Sequence, residues 1–147
     1  MTDNDLSERY RAYLAVLNER RLGDLVDFVR DSLTYNGRPM TRRQYGDLIA
    51  ADLTAIPDLY YRAEIVVADG RRVACRLVFD CTPERSFLGF TPNGSRLVFA
   101  EHVFYDFVDG RIASVSSLID RASIAAQLGL SAPSGYPRRR RGPGSAG

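Results

Sequence analysis

The residues best suited to proton transfer lie between Val98 and Asp120, in an apolar and aromatic-rich part of the chain. This stretch holds the only histidine of the sequence, His102, and it ends in the carboxylate of Asp120. An Asp109-Gly110 pair separates two alternating apolar runs, which is a strong signal for a β-hairpin with a type I′ turn. An imidazole and a carboxylate on adjacent antiparallel strands could act as general acid and base near neutral pH.

Glu101 and two tyrosines offer further groups for proton transfer or hydrogen bonding. Glu101 is either a solvated or paired strand carboxylate or a group that orients His102, which would require a twist or bulge in the strand. Tyr45 lies in a predicted helix that would lean over a pocket mouth, where its hydroxyl could donate to a carbonyl or epoxide oxygen or simply pack. Tyr35 has the same two interpretations. The predicted catalytic residues are therefore His102, Tyr45, Asp120 and Glu101.

The candidate substrate-binding residues include one arginine and several aromatic side chains. Arg76 could stabilise an enolate inside a cavity, but a pair with Asp80 or Glu64 on the sheet surface is the favoured interpretation. The aromatic residues are expected to divide between the core and the pocket wall. The predicted substrate-binding set is Tyr35, Arg76, Phe87, Phe90, Phe104 and Ser117.

The composition excludes several kinds of catalysis. All 20 basic residues are arginines, so no lysine is available for a Schiff base or a phosphate-binding Walker motif. One histidine and two cysteines are too few for a zinc site built from these residue types, and Cys75 and Cys81 do not form a CxxC pair. We expect no metal site and two free, buried thiols in a reducing compartment.

The last residues, 131–147, are rich in Pro, Gly and Arg, and we expect this tail to be disordered beside a single domain at 1–130. The formal net charge of +2 depends on Arg138–Arg141, and without these four residues the chain carries about −2. No basic nucleic-acid-binding face is therefore expected on the domain. The sequence shows neither a signal-peptide pattern nor an apolar run that could span a bilayer, so we expect a cytoplasmic protein without a membrane partner.

Helical periodicity dominates the first third of the sequence. It predicts one helix over Leu6–Leu17 and a second from Leu22 to Val29. A third helix is predicted to begin after Thr41, which forms a capping box with Gln44, and to run to about Ala55.

From Leu59 onward the apolar pattern alternates, which is typical of strands. Turns at Asp69-Gly70 and Asp109-Gly110 predict two hairpins and thus four long antiparallel strands, followed by a short helix from Ala122 to Leu128. Helices followed by such a meander indicate an α+β domain. Its helices would cover one face of a strongly curved antiparallel or mixed sheet and enclose a cone-shaped pocket for an apolar ligand.

Three segments carry a resemblance to a known family: FLGFTPNG at 87–94, EHVFYDFVDGRI at 101–112 and SLIDRASIAAQLG at 117–129. Together with the Pro57-Asp58-Leu59 step and Arg76, they resemble the SnoaL-like polyketide cyclases and their ester cyclase relatives of the nuclear-transport-factor-2-like (NTF2-like) superfamily. The resemblance covers about residues 6 to 130. It implies an NTF2-like cone and a cytosolic homodimer that acts without metal or organic cofactor on a hydrophobic, polyketide-like small molecule.

The last strand departs from the family pattern. Aldol-type members place a carboxylate near a tryptophan there, whereas this chain reads Val115-Ser116-Ser117-Leu118. Asp120 remains at the end of this strand. We slightly favour an N-cap of the helix that starts near Ala122 over a catalytic role for this residue.

These observations predict a cofactor-independent cyclase of secondary metabolism. It would fold a polyketide-type intermediate in an apolar cavity and close a ring by an aldol reaction, a cycloaddition or epoxide opening, with one or two polarising residues. The alternatives are a cofactor-free hydroxylase or epoxide hydrolase of a natural-product pathway and a non-catalytic small-molecule-binding protein.

Overall fold

Helices at both ends of the domain flank six strands in a computed structural model that describes residues 1–130. The predicted tail at 131–147 lies outside the described residues. In chain order the elements are α1 Asp3–Asn18, a 3-10 helix Leu22–Asp27, β1 Val29–Tyr35, β2 Arg38–Thr41, α2 Arg42–Ala55, β3 Arg62–Asp69, β4 Arg72–Cys81, β5 Leu97–Val108, β6 Arg111–Ile119 and α3 Arg121–Gln127.

The sequence signals for the two long helices are confirmed. Each begins with a capping box, in which the Thr2 or Thr41 side chain accepts a backbone N–H three residues on and the Asp5 or Gln44 side chain accepts one in return. This exchange satisfies donors that a helix N-terminus otherwise leaves unpaired. The helix Arg42–Ala55 ends where predicted.

The predicted second helix is wrong over its last residues. Only a 3-10 helix forms, Leu22–Asp27, and Val29 begins β1 opposite Ile112 of β6. Such a short segment gains little from helix formation alone. The fully buried, β-branched Val29 is taken up by the sheet instead.

The strands form one curved sheet with the order β2-β1-β6-β5-β4-β3. Both predicted hairpins are present, and Asp109 and Gly110 have the positive φ angles, 52° and 77°, that a type I′ turn requires. The sequence predicted four strands; β1 and β2 add two more. Neighbouring strands are antiparallel except that β1 runs parallel to β6.

The alternation along β5 separates the two faces of the sheet. Glu101, Val103, Tyr105 and Phe107 point toward the helices, and Tyr105 is 5% exposed with its ring 4.9 Å from that of Tyr10 on α1. His102 and Phe104 point to the opposite, outer face, where Phe104 is 58% exposed. The space between the sheet and the helices is therefore lined by the set that contains Glu101.

Other features of the core agree with the sequence analysis. Cys75 and Cys81 are buried and free. None of the helices within residues 1–130 is both long and apolar enough to cross a membrane.

Candidate functional site

A small cavity lies between the inner face of the sheet and α2. It consists of two adjoining parts of about 60 and 80 Å³ that share four lining residues, Tyr35, Asp52, Tyr61 and Glu101. The remaining lining is mainly apolar or aromatic: Tyr13, Leu17, Tyr45, Leu48, Ile49, Ile56, Leu59, Leu77, Phe79, Phe87, Leu88, Phe99, Tyr105, Val115 and Ile119. Two carboxyl groups thus line the same partly open space, among mainly apolar and aromatic side chains.

Glu101 enters this cavity from β5. Its carboxylate accepts a hydrogen bond from the hydroxyl of Ser117 on β6. The backbone N–H of Ser117 in turn donates to the Asn36 side chain at 2.7 Å, which ties the β1–β2 turn to the site. Burial raises the pKa of Glu101 above its usual value; the Ser117 hydrogen bond opposes this shift, and the nearby Asp52 adds to it.

Asp52 enters from the opposite side, on α2. Counted from Tyr45 as position i, Ile49 is i+4 and Asp52 is i+7 on one helix face, so all three side chains point inward. Burial raises the pKa of Asp52 to about 6. Among the described residues its carboxylate has no hydrogen-bond or salt-bridge partner.

Tyrosine hydroxyls surround the two carboxyl groups. The hydroxyls of Tyr13 on α1 and Tyr45 on α2 are hydrogen-bonded to each other at 2.5 Å. Burial raises the pKa of Tyr35, Tyr45 and Tyr61 above the usual phenol value, so all three stay protonated at neutral pH. These phenols can donate hydrogen bonds to an oxygen of a bound molecule.

Two raised carboxyl pKa values in one cavity permit acid–base chemistry. The negative charge of Asp52 opposes the ionisation of Glu101. One of the two groups can then hold a proton while the other accepts one, which is the division that general acid–base catalysis needs.

The structure does not bring His102 to this cavity. With Arg76 and Phe104, its side chain instead lines a mainly apolar groove of about 300 Å³ on the outer face of the sheet. The side chain lies on the outer face, where Arg76 Nη1 donates to His102 Nε2 at 2.8 Å and Arg76 Nε donates to Glu64 at 3.1 Å. Arg76 therefore makes the surface pair favoured from the sequence, and it does not face the cavity. Phe104, predicted to bind substrate, also lies outside because it shares the outer face with His102.

Asp120 is the N-cap of α3, as the favoured interpretation predicted. Its side chain accepts the backbone N–H of Ser123 at 3.0 Å, and it is exposed and outside the cavity lining. Among the aromatic candidates, Phe87 lines the cavity. Phe90 stands behind it at 5.9 Å between ring centroids, with the Arg121 guanidinium over its other side.

Of the predicted residues, the structure brings Glu101, Tyr45, Tyr35, Ser117 and Phe87 together. The sequence analysis missed Asp52 and Tyr61. Helical spacing from Tyr45 could have found Asp52, since a residue seven positions along an α-helix returns to the same face. No comparable signal marked Tyr61, which precedes β3.

Residues 1–130 contain no group of three or more His, Cys, Asp or Glu side chains placed to hold a metal ion.

Helices packed on a strongly curved sheet, with polar groups between them, are the architecture of the NTF2-like fold. The sequence profile of the SnoaL-like polyketide cyclases matches residues 7–128, and the chain belongs to this family. The resemblance noted from the sequence is thereby confirmed.

Solved structures agree with this assignment. A SnoaL-like polyketide cyclase from Agrobacterium tumefaciens is 44% identical, with a TM-score of 0.82 over 87% of this chain and 99% of that one. AclR, a candidate hydroxylase from Streptomyces galilaeus, is 22% identical (TM-score 0.73, 87% and 98% covered). IdmH, a candidate polyketide cyclase from Streptomyces antibioticus, is 21% identical (TM-score 0.74, 85% and 99% covered). The latter two show the shared fold alone. No protein of curated function matches the chain.

Proposed function

We propose that this protein is a cofactor-independent cyclase that closes a ring by acid–base catalysis at Glu101 and Asp52. The proposal rests above all on one observation: two carboxyl groups with raised pKa values share one partly open cavity whose other lining residues are mainly apolar or aromatic. Family membership supports the reaction class.

In the proposed reaction, a carboxylate removes a proton from a carbon next to a substrate carbonyl. The resulting enolate carbon attacks a second carbonyl carbon of the same molecule, and a carbon–carbon bond forms. The second carbonyl oxygen takes up a proton from the carboxyl group that holds one, so that the product is a β-hydroxy ketone and the catalytic pair is restored. This is an aldol-type closure with no change in oxidation state.

Glu101 fits the position of the missing family carboxylate. The last strand carries serines in the segment 115–118 where relatives tend to have a carboxylate, and Glu101 on the neighbouring strand hydrogen-bonds to one of them, Ser117. A carboxyl group therefore reaches the cavity from the adjacent strand instead. This placement favours the aldol-type closure over cycloaddition and epoxide opening.

The cavity wall supplies orientation. Aromatic and aliphatic side chains surround the acid pair, and holding the two reacting carbons close in a dry space lowers the entropic part of the barrier. The hydroxyls of Tyr35 and Tyr61 are placed to donate to an enolate oxygen. Because the two parts together are smaller than typical ligand pockets of about 300 Å³ or more, the site suits a small substrate or the small reacting end of a larger one.

The test is to incubate the protein with short poly-β-ketone esters in heavy water. Mass spectrometry would follow both deuterium uptake next to the carbonyls and ring closure. Glu101→Gln should slow both by about 100-fold or more, the usual contribution of a general acid or base. The matched control is Glu8→Gln, the same change at an exposed position of α1 without a hydrogen-bond partner among the described residues.

Two results would contradict the proposal. One is closure by the Glu101→Gln variant at a rate within threefold of the unaltered protein; the other is the absence of any acceleration by the unaltered protein across the ester series. Incorporation of oxygen from heavy-oxygen water into the product would favour the epoxide hydrolase alternative, because ring closure adds no water.

A further inference from the structure

The charge of the cavity restricts what can bind there. Its lining contains Asp52 and Glu101 but no arginine, although arginine is the only abundant cation of the chain. Carboxylates removed from water are normally paired with a cation or with several hydrogen-bond donors. Glu101 has Ser117 as a donor, whereas Asp52 has no partner within the described part of the chain.

Tyr61 is a second group left open toward the same space. It lines both parts of the cavity, its ring packs edge-on against Phe79 at 5.5 Å, and its backbone is held by two hydrogen bonds to the Asn18 side chain. Its hydroxyl makes no hydrogen bond to any described residue, although burial raises the pKa of the phenol well above its usual value. Solvent reaches this hydroxyl, which is therefore available to donate a hydrogen bond to a polar group of a ligand in the cavity.

Aromatic rings complete the environment around Asp52. Tyr35, Tyr45 and Tyr61 all line the cavity part nearest α2, and the ring centroids of Tyr35 and Tyr45 are 6.0 Å apart. The faces of such rings attract cations, most strongly where water is excluded. The carboxylate of Asp52 and the faces of the tyrosine rings therefore both favour a positively charged ligand.

We propose that the substrate carries a protonated amine, which the ionised Asp52 and the neighbouring tyrosine rings hold. Both proton transfers of the ring closure then fall to Glu101, whose carboxylate takes the proton from carbon and returns it to the second carbonyl oxygen. The inference rests on the proposed function and narrows its substrate class. An amine at this position supplies the missing counter-charge, and an N–H group can be shared with Asp52 and the Tyr61 hydroxyl. A ligand that places a carboxylate or phosphate in the cavity is excluded by repulsion from the acid pair.

Three compact probes of matched shape test the inference: cyclopentylammonium, cyclopentanol and cyclopentanecarboxylate. Each is titrated into the full-length protein at constant ionic strength, and NMR chemical shifts give the dissociation constants. We expect the ammonium to bind about tenfold more tightly than the alcohol, and the carboxylate to bind most weakly. Asp52→Asn should remove the preference for the ammonium, whereas Asp47→Asn, on an exposed part of the same helix, should preserve it.

The pH dependence of ammonium binding provides an independent test. Glu101, Tyr35, Tyr45 and Tyr61 are the titratable groups that share the cavity part around Asp52, along with Tyr13 and Tyr105, and the tyrosines stay neutral. Ammonium affinity should fall as the pH drops through about 6, where Asp52 takes up its proton. The fall should be lost in Asp52→Asn and kept in Asp47→Asn.

Equal or tighter binding of the alcohol or the carboxylate would overturn the inference, as would a failure of the ammonium to bind or an unchanged preference in Asp52→Asn. The result is separable from the test of catalysis. Ring closure that depends on Glu101, without a preference for the ammonium probe, would refute only the substrate class. Ammonium selectivity with closure unaffected by Glu101→Gln would refute the acid–base mechanism.

Discussion

Replacing Asp52 with asparagine should stabilise the protein at neutral pH. A carboxyl group with a pKa of about 6 in the folded chain and an ordinary value of 3.8 when unfolded binds its proton more tightly in the folded state. Its contribution therefore favours folding below about pH 4 and is lost as the pH rises through about 6. At pH 7 the ionised Asp52 opposes folding, and the neutral asparagine removes that cost.

The size of the effect follows from the two pKa values. A fully desolvated group with this difference would cost about 3 kcal/mol, at about 1.4 kcal/mol per pH unit. Asp52 is only partly buried, so solvent screens part of this cost, and the expected gain in unfolding free energy is about 1–2 kcal/mol. For a domain of this size that gain corresponds to about 3–6 °C in Tm.

Thermal unfolding from pH 4 to pH 8 measures the difference between Asp52→Asn and the unaltered chain. The difference should be near zero at pH 4, grow to its full value by about pH 7 and then remain constant. Glu101, whose pKa burial also raises, should leave a residual slope in the variant. Asp47→Asn serves as the exposed control. If Asp52→Asn is no more stable than the unaltered chain at pH 7, the ionised Asp52 does not lower the free energy of unfolding, and the reasoning is refuted.

Three further predictions concern residues of the original candidate set. Tyr45→Phe removes the hydrogen-bond partner of the buried Tyr13 hydroxyl, so it should lower the free energy of unfolding by about 1–3 kcal/mol, as measured by urea titration. An unchanged free energy would mean that this hydrogen bond makes no net contribution to stability. Asp120→Ala should cost about 1 kcal/mol through the lost cap of α3, with ring closure within threefold of normal, and a larger loss of turnover would return Asp120 to the catalytic set. If the homodimer implied by the family resemblance forms through the outer sheet face, Phe104→Glu should halve the mass measured by light scattering, whereas an unchanged mass would place the contact elsewhere.

The fold was largely predictable because its signals are local. A capping box, a helical stripe and hairpin turns each depend on a few neighbouring residues. The Thr41 capping box and the Asp109-Gly110 turn formed as predicted, and the first hairpin formed with its turn one residue later, at Gly70-Arg71. The parallel pairing of β1 with β6 was not predictable in this way. It joins segments that are distant in the sequence, and parallel strands are not connected by a short turn that a sequence pattern could reveal.

The site was less predictable, for a reason visible on β5. Alternation separates Glu101 from His102 but does not say which of the two faces is buried. The inner set holds three large apolar residues, Val103, Tyr105 and Phe107, and this majority was the correct guide. The only histidine of the sequence suggested instead that its own face of the strand lined the cavity. The apolar Phe104 on that face supported this assignment, although Phe104 is largely exposed.

The pairing of β1 with β6 also has a consequence for how the protein is made. Both long hairpins, β3–β4 and β5–β6, join adjacent segments and can form as the chain leaves the ribosome. β1 must wait for β6, and the hydrogen bond from Ser117 to Asn36 spans 81 positions. Since α2 follows β1 and β2, the two walls that carry Asp52 and Glu101 meet only when the sheet closes at this seam. The first third of the chain, including β1 and α2, is therefore synthesised before the strand that closes the cavity wall beside it.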